Sequence, residues 1–168
     1  VLRKLARFLY TIEVPCDPVT GRPLQTGVIP WRRSASGLEV LLITSRRSGK
    51  WTIPKGWPML FRTLAEAASQ EAYEEAGVRG LVSPDPIGRI DAPKFYRFAG
   101  EIDWLLVVHL MEVTEEVSSW PEQGQRDRTW LSVEQAARQV RPKALAPLIS
   151  TLVDLVSPDE RQAGRRRQ

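Results

Sequence analysis

A chain of 168 residues with 42% hydrophobic and 26% charged residues has the length and composition of one globular domain. Its 13 prolines and 11 glycines are scattered, and no apolar run reaches the roughly 20 residues that cross a bilayer, which excludes collagen-like and membrane-spanning classes. The formal charge of +4 lies at the ends: residues 1–10 carry +3, residues 157–168 carry +2, and the body between them is left with −1. The tail RQAGRRRQ therefore reads as a solvated terminus, and a nucleic-acid partner is not the expectation. Cys16 is the only cysteine, so no intrachain disulfide or all-cysteine metal site can form, which fits a reducing cytoplasm. Arg3, Lys4 and Arg7 interrupt the first apolar stretch and no small-residue cleavage pattern follows, so a secretion signal is not expected.

No internal repeat or low-complexity linker divides the chain, and the expectation is a single domain over 1–156, with its core from about 25, followed by a basic tail at 157–168. Residues 25–31 (QTGVIPW) and 38–45 (LEVLLITS) read as strands joined by a polar turn. A short third strand at WTIP is ended by Pro54, which lacks an amide donor. The clearest helix follows. Thr63 and Glu66 stand at capping-box spacing, so the helix starts at Leu64; it runs to Ala76, and Gly77 closes it, with Val78 expected to pack back toward Tyr73.

Beyond the helix, IGRID at 87–91 and WLLVVHLMEV at 104–113 read as strands, the latter buried on both faces because it scarcely alternates. Thr129–Leu131 adds a short strand. Ser132 with Gln135 repeats the capping-box spacing and starts a helix to about Val140, and Lys143–Val156 is expected as a last amphipathic helix despite Pro147. Strands flanked by helices predict a layered α/β domain.

Glu71, Glu74 and Glu75 stand at i, i+3 and i+4 of the first helix, so they project from about 100° of one face. Carboxylates that close repel one another unless a cation shares the site, and oxygen ligands at this density suit Mg²⁺ or Mn²⁺. Ala65, Ala68, Ala72 and Ala76 form an adjacent small-residue face that lets the helix lie close to a sheet. Just upstream, Pro54-Lys55-Gly56 forms a tight loop in which the Gly56 carbonyl can face a metal and Lys55 a phosphate oxygen.

The run GWPMLFRTLAEAASQEAYEEAGV, Gly56 to Val78, resembles the Nudix box, G-x5-E-x7-R-E-U-x-E-E-x-G-U with U aliphatic. Gly56, Glu71, Ala72, Glu74, Glu75, Gly77 and Val78 match it. Arg62 stands where the pattern has its first glutamate and Gln70 where it has arginine; the family uses those two positions as support, so their joint change implies a rebuilt brace. The resemblance implies a Nudix-type α/β/α sandwich with a mixed central sheet. It also implies a divalent-metal-dependent pyrophosphohydrolase in which water attacks phosphorus, with Glu71, Glu74 and Glu75 as catalytic residues. Metal ligands would be Gly56, Glu71, Glu74 and Glu75, the cofactor Mg²⁺ or Mn²⁺, and either Glu74 or Glu71 the general base. Glu115, Glu116 and Glu122, then Asp91 and Asp103, are the further carboxylates available from later segments, each otherwise a surface charge.

The segment from Met111 to Val140 is similar to the corresponding part of diphosphoinositol polyphosphate phosphohydrolases, extending the likeness over roughly residues 25–141. That similarity implies diphosphoinositol polyphosphates or dinucleoside polyphosphates as substrates, with a non-hydrolytic binding protein and an RNA 5′-pyrophosphohydrolase as alternatives. A small polyanionic substrate needs cations. Arg46, Arg47, Lys55 and Arg126 are the expected substrate-binding residues, with Lys50, Arg89, Lys94, Arg97 and Arg128 nearby in the basic loops. Trp31, Trp57, Phe95, Tyr96 and Trp120 are available to an adenine, though each also suits packing, and His109 reads as a satisfied core residue.

Overall fold

The computed structural model describes residues 15–96 and 100–156, with the side chains of 94–96, 100 and 101 left aside. Both basic termini, and Arg97 of the second basic loop, lie outside the described residues.

Among the described residues eight strands form one sheet: β1 (Leu24–Ser34), β2 (Gly37–Thr44), β3 (Trp51–Thr52), β4 (Lys55–Gly56), β5 (Val78–Val82), β6 (Gly88–Tyr96), β7 (Gly100–Glu116) and β8 (Arg128–Ser132). The main path runs β3-β2-β1-β7-β5, while β4 pairs β1, β6 pairs β7 and β8 pairs β2. The central β1–β7 pair is parallel, with Val28 opposite His109, and the other pairs are antiparallel. The sheet is therefore mixed.

Because side chains alternate along a strand, both faces of β1, β2 and β7 must be covered. Ile29, Val40, Leu42, Leu106 and Val108 point to one face and pack with Ala136, Leu145, Ile149 and Leu152 from three short helices, α2 (Val133–Gln139), α3 (Leu145–Ser150) and α4 (Leu152–Val156). Val28, Leu41, Ile43 and Met111 point to the other and meet Ala68, Ala72 and Ala76 of α1 (Leu64–Ala76). The result is an α/β/α sandwich, and the alanines let α1 approach the sheet closely.

Helix α1 begins and ends where expected. Thr63 Oγ1 accepts from Glu66 N–H at 3.2 Å while Glu66 Oε2 accepts from Thr63 N–H at 2.7 Å, and Gly77 adopts φ 65°, ψ 35°. Val78 opens β5, which sends its side chain into the alanine face, and the Arg79 guanidinium lies 4.4 Å over the Tyr73 ring. Strand β5 has no counterpart in the sequence reading. It lies at the end of the main path and is bulged at Arg79/Gly80; its burial alternates, but with Gly80 facing inward and Leu81 exposed the sequence shows no matching polar and apolar alternation.

The expected helix over Lys143–Val156 is two. It starts at Leu145, which places Pro147 in the first turn, where a missing amide is tolerated. It breaks at Thr151, whose hydroxyl donates to the Leu148 carbonyl at 2.8 Å and competes with the helical ladder. No helix in the described residues is long and apolar enough to cross a membrane.

Candidate active site

Short strand β4 brings Lys55 and Gly56 against Gly27 and Thr26 of β1, and Thr26 Oγ1 donates to the Leu64 carbonyl at 2.9 Å. The first turn of α1 is thereby tied to the sheet beside the loop. A cavity of about 420 Å³ opens where β4, α1, the 45–47 loop and the 122–126 segment meet. Gly56, Glu71, Glu74, Glu75, Arg46, Arg47, Lys55 and Arg126 all line it. Residues from four separate segments share one cavity, and Glu122, Trp57, Gln25 and Ser45 join them.

Gly56 is needed there for its missing side chain. A Cβ at this position would fall inside the Glu71 carboxylate, which packs directly on the glycine backbone. Among the described residues no hydrogen-bond donor reaches Glu71. Burial, and then the charges of Glu75, Glu74 and Glu122, push its carboxyl up to about 7. Arg126 opposes the rise without cancelling it.

Glu75 is treated differently. It is buried, accepts from Lys55 N–H at 3.0 Å and pairs with the buried Arg126 guanidinium. Burial raises its pKa while the Lys55 amide and Arg126 oppose the rise. Arg126 also meets Glu122 at 2.8 Å and the Thr44 carbonyl at 3.0 Å, so each of its three nitrogens is engaged within the protein. Arg46 pairs with Glu122 at 3.0 Å. The Lys55 ammonium is pushed down by burial, partly offset by Glu75.

Arg62 and Gln70, the two departures from the box, meet: Arg62 Nη1 donates to Gln70 Oε1 at 3.3 Å, and Gln70 Nε2 donates to Glu74 Oε1 at 2.6 Å. The expected brace is present as a chain of hydrogen bonds.

Other candidates are drawn elsewhere. Asp91 and Asp103 each pair with Arg22 at 2.7 Å, and Glu116 pairs with Arg32 at 2.7 Å. Glu115 lies opposite Arg79 in the β5–β7 register. Of the later carboxylates only Glu122 lines the cavity. Arg89 pairs with Asp17, and Arg128 donates to the Ala76 carbonyl at 2.7 Å, so neither lines it. Trp31 is core and Trp120 lies against Gly77 beneath the Arg128 guanidinium. The side chains of Lys94, Phe95 and Tyr96 are outside those described. His109 Nδ1 lies 2.9 Å from the Ser83 carbonyl, which makes it the protonated nitrogen, and burial lowers the ring's pKa.

The cavity's donor set suits a hard divalent cation: oxygen atoms from Glu71, Glu74, Glu75 and Glu122, with the Gly56 backbone beside Glu71. Among the described residues no three carboxylates yet converge into a formed metal cluster. Arg126 pairs with Glu75, and Gln70 fixes one oxygen of Glu74. Glu122 was the hardest to find from sequence, because it lies 47 residues beyond Glu75 and nothing local distinguishes it from Glu115 or Glu116.

Comparison with known proteins agrees with this architecture. The chain is 38% identical over 110 residues to Nudix hydrolase 13, mitochondrial, of Arabidopsis thaliana, a match covering 62% of this chain and 54% of the relative. It is 33% identical over 144 residues to Nudix hydrolase 17, mitochondrial, of the same plant, covering 82% and 77%. The chain thus spans about half of one relative and three quarters of the other. Among solved structures, the C. elegans Ap4A hydrolase superposes with a TM-score of 0.58 at 17% identity, covering 80% of this chain and 98% of that one, which is a likeness of fold. The NUDIX domain family matches residues 21–152, and the chain belongs to the Nudix hydrolase family.

Proposed function

We propose that the protein is a divalent-metal-dependent pyrophosphohydrolase that cleaves a phosphoanhydride by attack of water on phosphorus. The observation that carries this reading is the cavity itself: four glutamates and four cationic side chains line one opening, with Glu71 lacking any donor among the described residues. Glu71, Glu74 and Glu75, with the Gly56 carbonyl, are the groups that would hold Mg²⁺ or Mn²⁺. When bound, the cation neutralises charge developing on the phosphoryl oxygens and lowers the pKa of a coordinated water. With Glu75 engaged by such a cation, Arg126 would face the substrate phosphates beside Arg46, Arg47 and Lys55, and Glu71 or Glu74 would take the proton of the attacking water.

The substrates we assign are dinucleoside polyphosphates or diphosphoinositol polyphosphates. The first are favoured by Trp57, which is half exposed and offers an aromatic surface to a base beside the cationic side chains of the cavity. Trp57 is held at 4.7 Å, edge to face, by buried Trp104. The Ap4A hydrolase named above acts on a substrate of this kind. We read residues up to about 156 as one catalytic domain, and assign it to a reducing compartment, the cytoplasm in the first instance.

A second reading, a non-hydrolytic polyphosphate-binding protein, is favoured by the Arg126–Glu75 pair, which closes the carboxylate site. One panel separates the two: product formation, followed by chromatography, with Mg²⁺ or Mn²⁺ from Ap4A to Ap6A, diphosphoinositol polyphosphates, nucleoside triphosphates, ADP-ribose and 5′-triphosphorylated RNA. Metal-dependent turnover of one class supports the enzyme; binding without turnover supports the alternative.

A further inference from the structure

Arg62, Gln70 and Glu74 form a directed chain across the exposed side of α1. Its direction follows from chemistry. A guanidinium has donors only, so it must face the oxygen of the Gln70 amide, and this turns the amide nitrogen toward Glu74. Gln70 and Glu74 are one turn apart on the same face, which makes the 2.6 Å contact natural to the helix. Gln70 also separates two spaces: with Arg62 it lines a second cavity of about 340 Å³, whereas Glu74 faces the glutamate-lined one.

We propose that Gln70 is a positioning residue for Glu74, aimed by Arg62; the inference rests on the reading of the glutamate cavity as a metal-assisted site. A neutral donor fixes one carboxylate oxygen of Glu74 without bringing a formal charge beside it. The positive charge stands one residue further off, on Arg62. Glu74 thus keeps its orientation and its full negative charge for a cation. An arginine at position 70, as in the general pattern of the box, would fix the same oxygen but place a competing charge against it.

The experiment has two readouts, Mn²⁺ binding alone and steady-state kinetics with the substrate that turns over. Gln70→Met removes both hydrogen bonds, and Gln70→Glu keeps an acceptor for Arg62 while losing the donor to Glu74. Both variants should lose kcat by about tenfold with KM within about twofold, and bind Mn²⁺ several-fold more weakly at unchanged melting temperature. Gln70→Arg should restore orientation yet still bind Mn²⁺ more weakly than the natural chain. Arg62→Met, which frees the amide to flip, should cost about threefold alone and nothing further in the Gln70→Met background. Unchanged kcat and Mn²⁺ affinity in Gln70→Met, or losses that multiply in the double variant, would overturn the proposal. If the natural chain turns nothing over, the pyrophosphohydrolase reading fails by itself, and Mn²⁺ affinity alone decides the role of Gln70.

Discussion

Arg126 and Glu75 form an ion pair with only 7% and 8% of their side chains exposed. Breaking one side of such a pair leaves a charge stranded away from water, and here the stranded charge would be Glu75 with little beyond the Lys55 amide. Arg126→Met should therefore lower the unfolding free energy by about 3–5 kcal/mol in metal-free buffer, read from urea titration. Saturating Mg²⁺ should recover part of the loss, because a cation then meets Glu75. An unaltered midpoint would show that the pair contributes nothing to the fold.

Glu71 predicts a pH dependence. Its folded-state carboxyl is pushed up to about 7, above its ordinary value of 4.5, so between these pH values the folded protein binds the extra proton. Stability must then fall as pH rises through that window. With allowance for water screening of this partly exposed group, the fall is on the order of 1–2 kcal/mol. Denaturation in chelator from pH 4.5 to 7.5 should show the decline in the natural chain and lose it in Glu71→Gln. Mg²⁺ should flatten it, since the cation replaces the proton.

Gly56→Ala separates steric from backbone effects. Gly56 does not use the left-handed region, so alanine fits its backbone, but the new Cβ displaces the Glu71 carboxylate, the movable end of a flexible side chain. Stability should change little while kcat drops at least about tenfold, equal to 1.4 kcal/mol in the barrier. A fully active Gly56→Ala enzyme would show that Glu71 works from another position.

Trp57 tests the nucleoside side of the substrate assignment. Trp57→Ala should raise KM for Ap4A by about tenfold and leave hydrolysis of inorganic tripolyphosphate unaltered, since stacking on one base contributes about 1–3 kcal/mol. Trp57→Phe should recover most of the loss. Equal effects on both substrates would assign Trp57 to loop packing against Trp104.

How much of this was legible in the sequence depended on distance along the chain. Helix α1 was readable to the residue because Thr63, Glu66 and Gly77 act within four positions of its ends. Glu71, Glu74 and Glu75 were readable as one face for the same local reason. Strand β5 was not, since its pairing with β7 and its bulge at Arg79/Gly80 leave only Val78 buried. The split at Thr151 depends on one hydroxyl and its carbonyl partner, a choice that helical propensity does not encode. Arg126 was legible as a cation of the site, but its partner Glu75 lies 51 residues away, so its burial and pairing emerge only when β8 docks on β2 and brings the preceding segment to α1. Arg62 and Gln70 stood out as departures, yet that they bond each other, and in which direction, required their geometry.

The most direct test of the central claim is the initial rate of Ap4A cleavage against Mg²⁺ concentration, for chelator-treated natural chain and for Glu75→Gln. The account predicts no cleavage without metal, saturable cleavage as Mg²⁺ is added, and loss of turnover in Glu75→Gln with its melting transition retained. Cleavage that persists in chelator, or that survives Glu75→Gln at the natural rate, would contradict it.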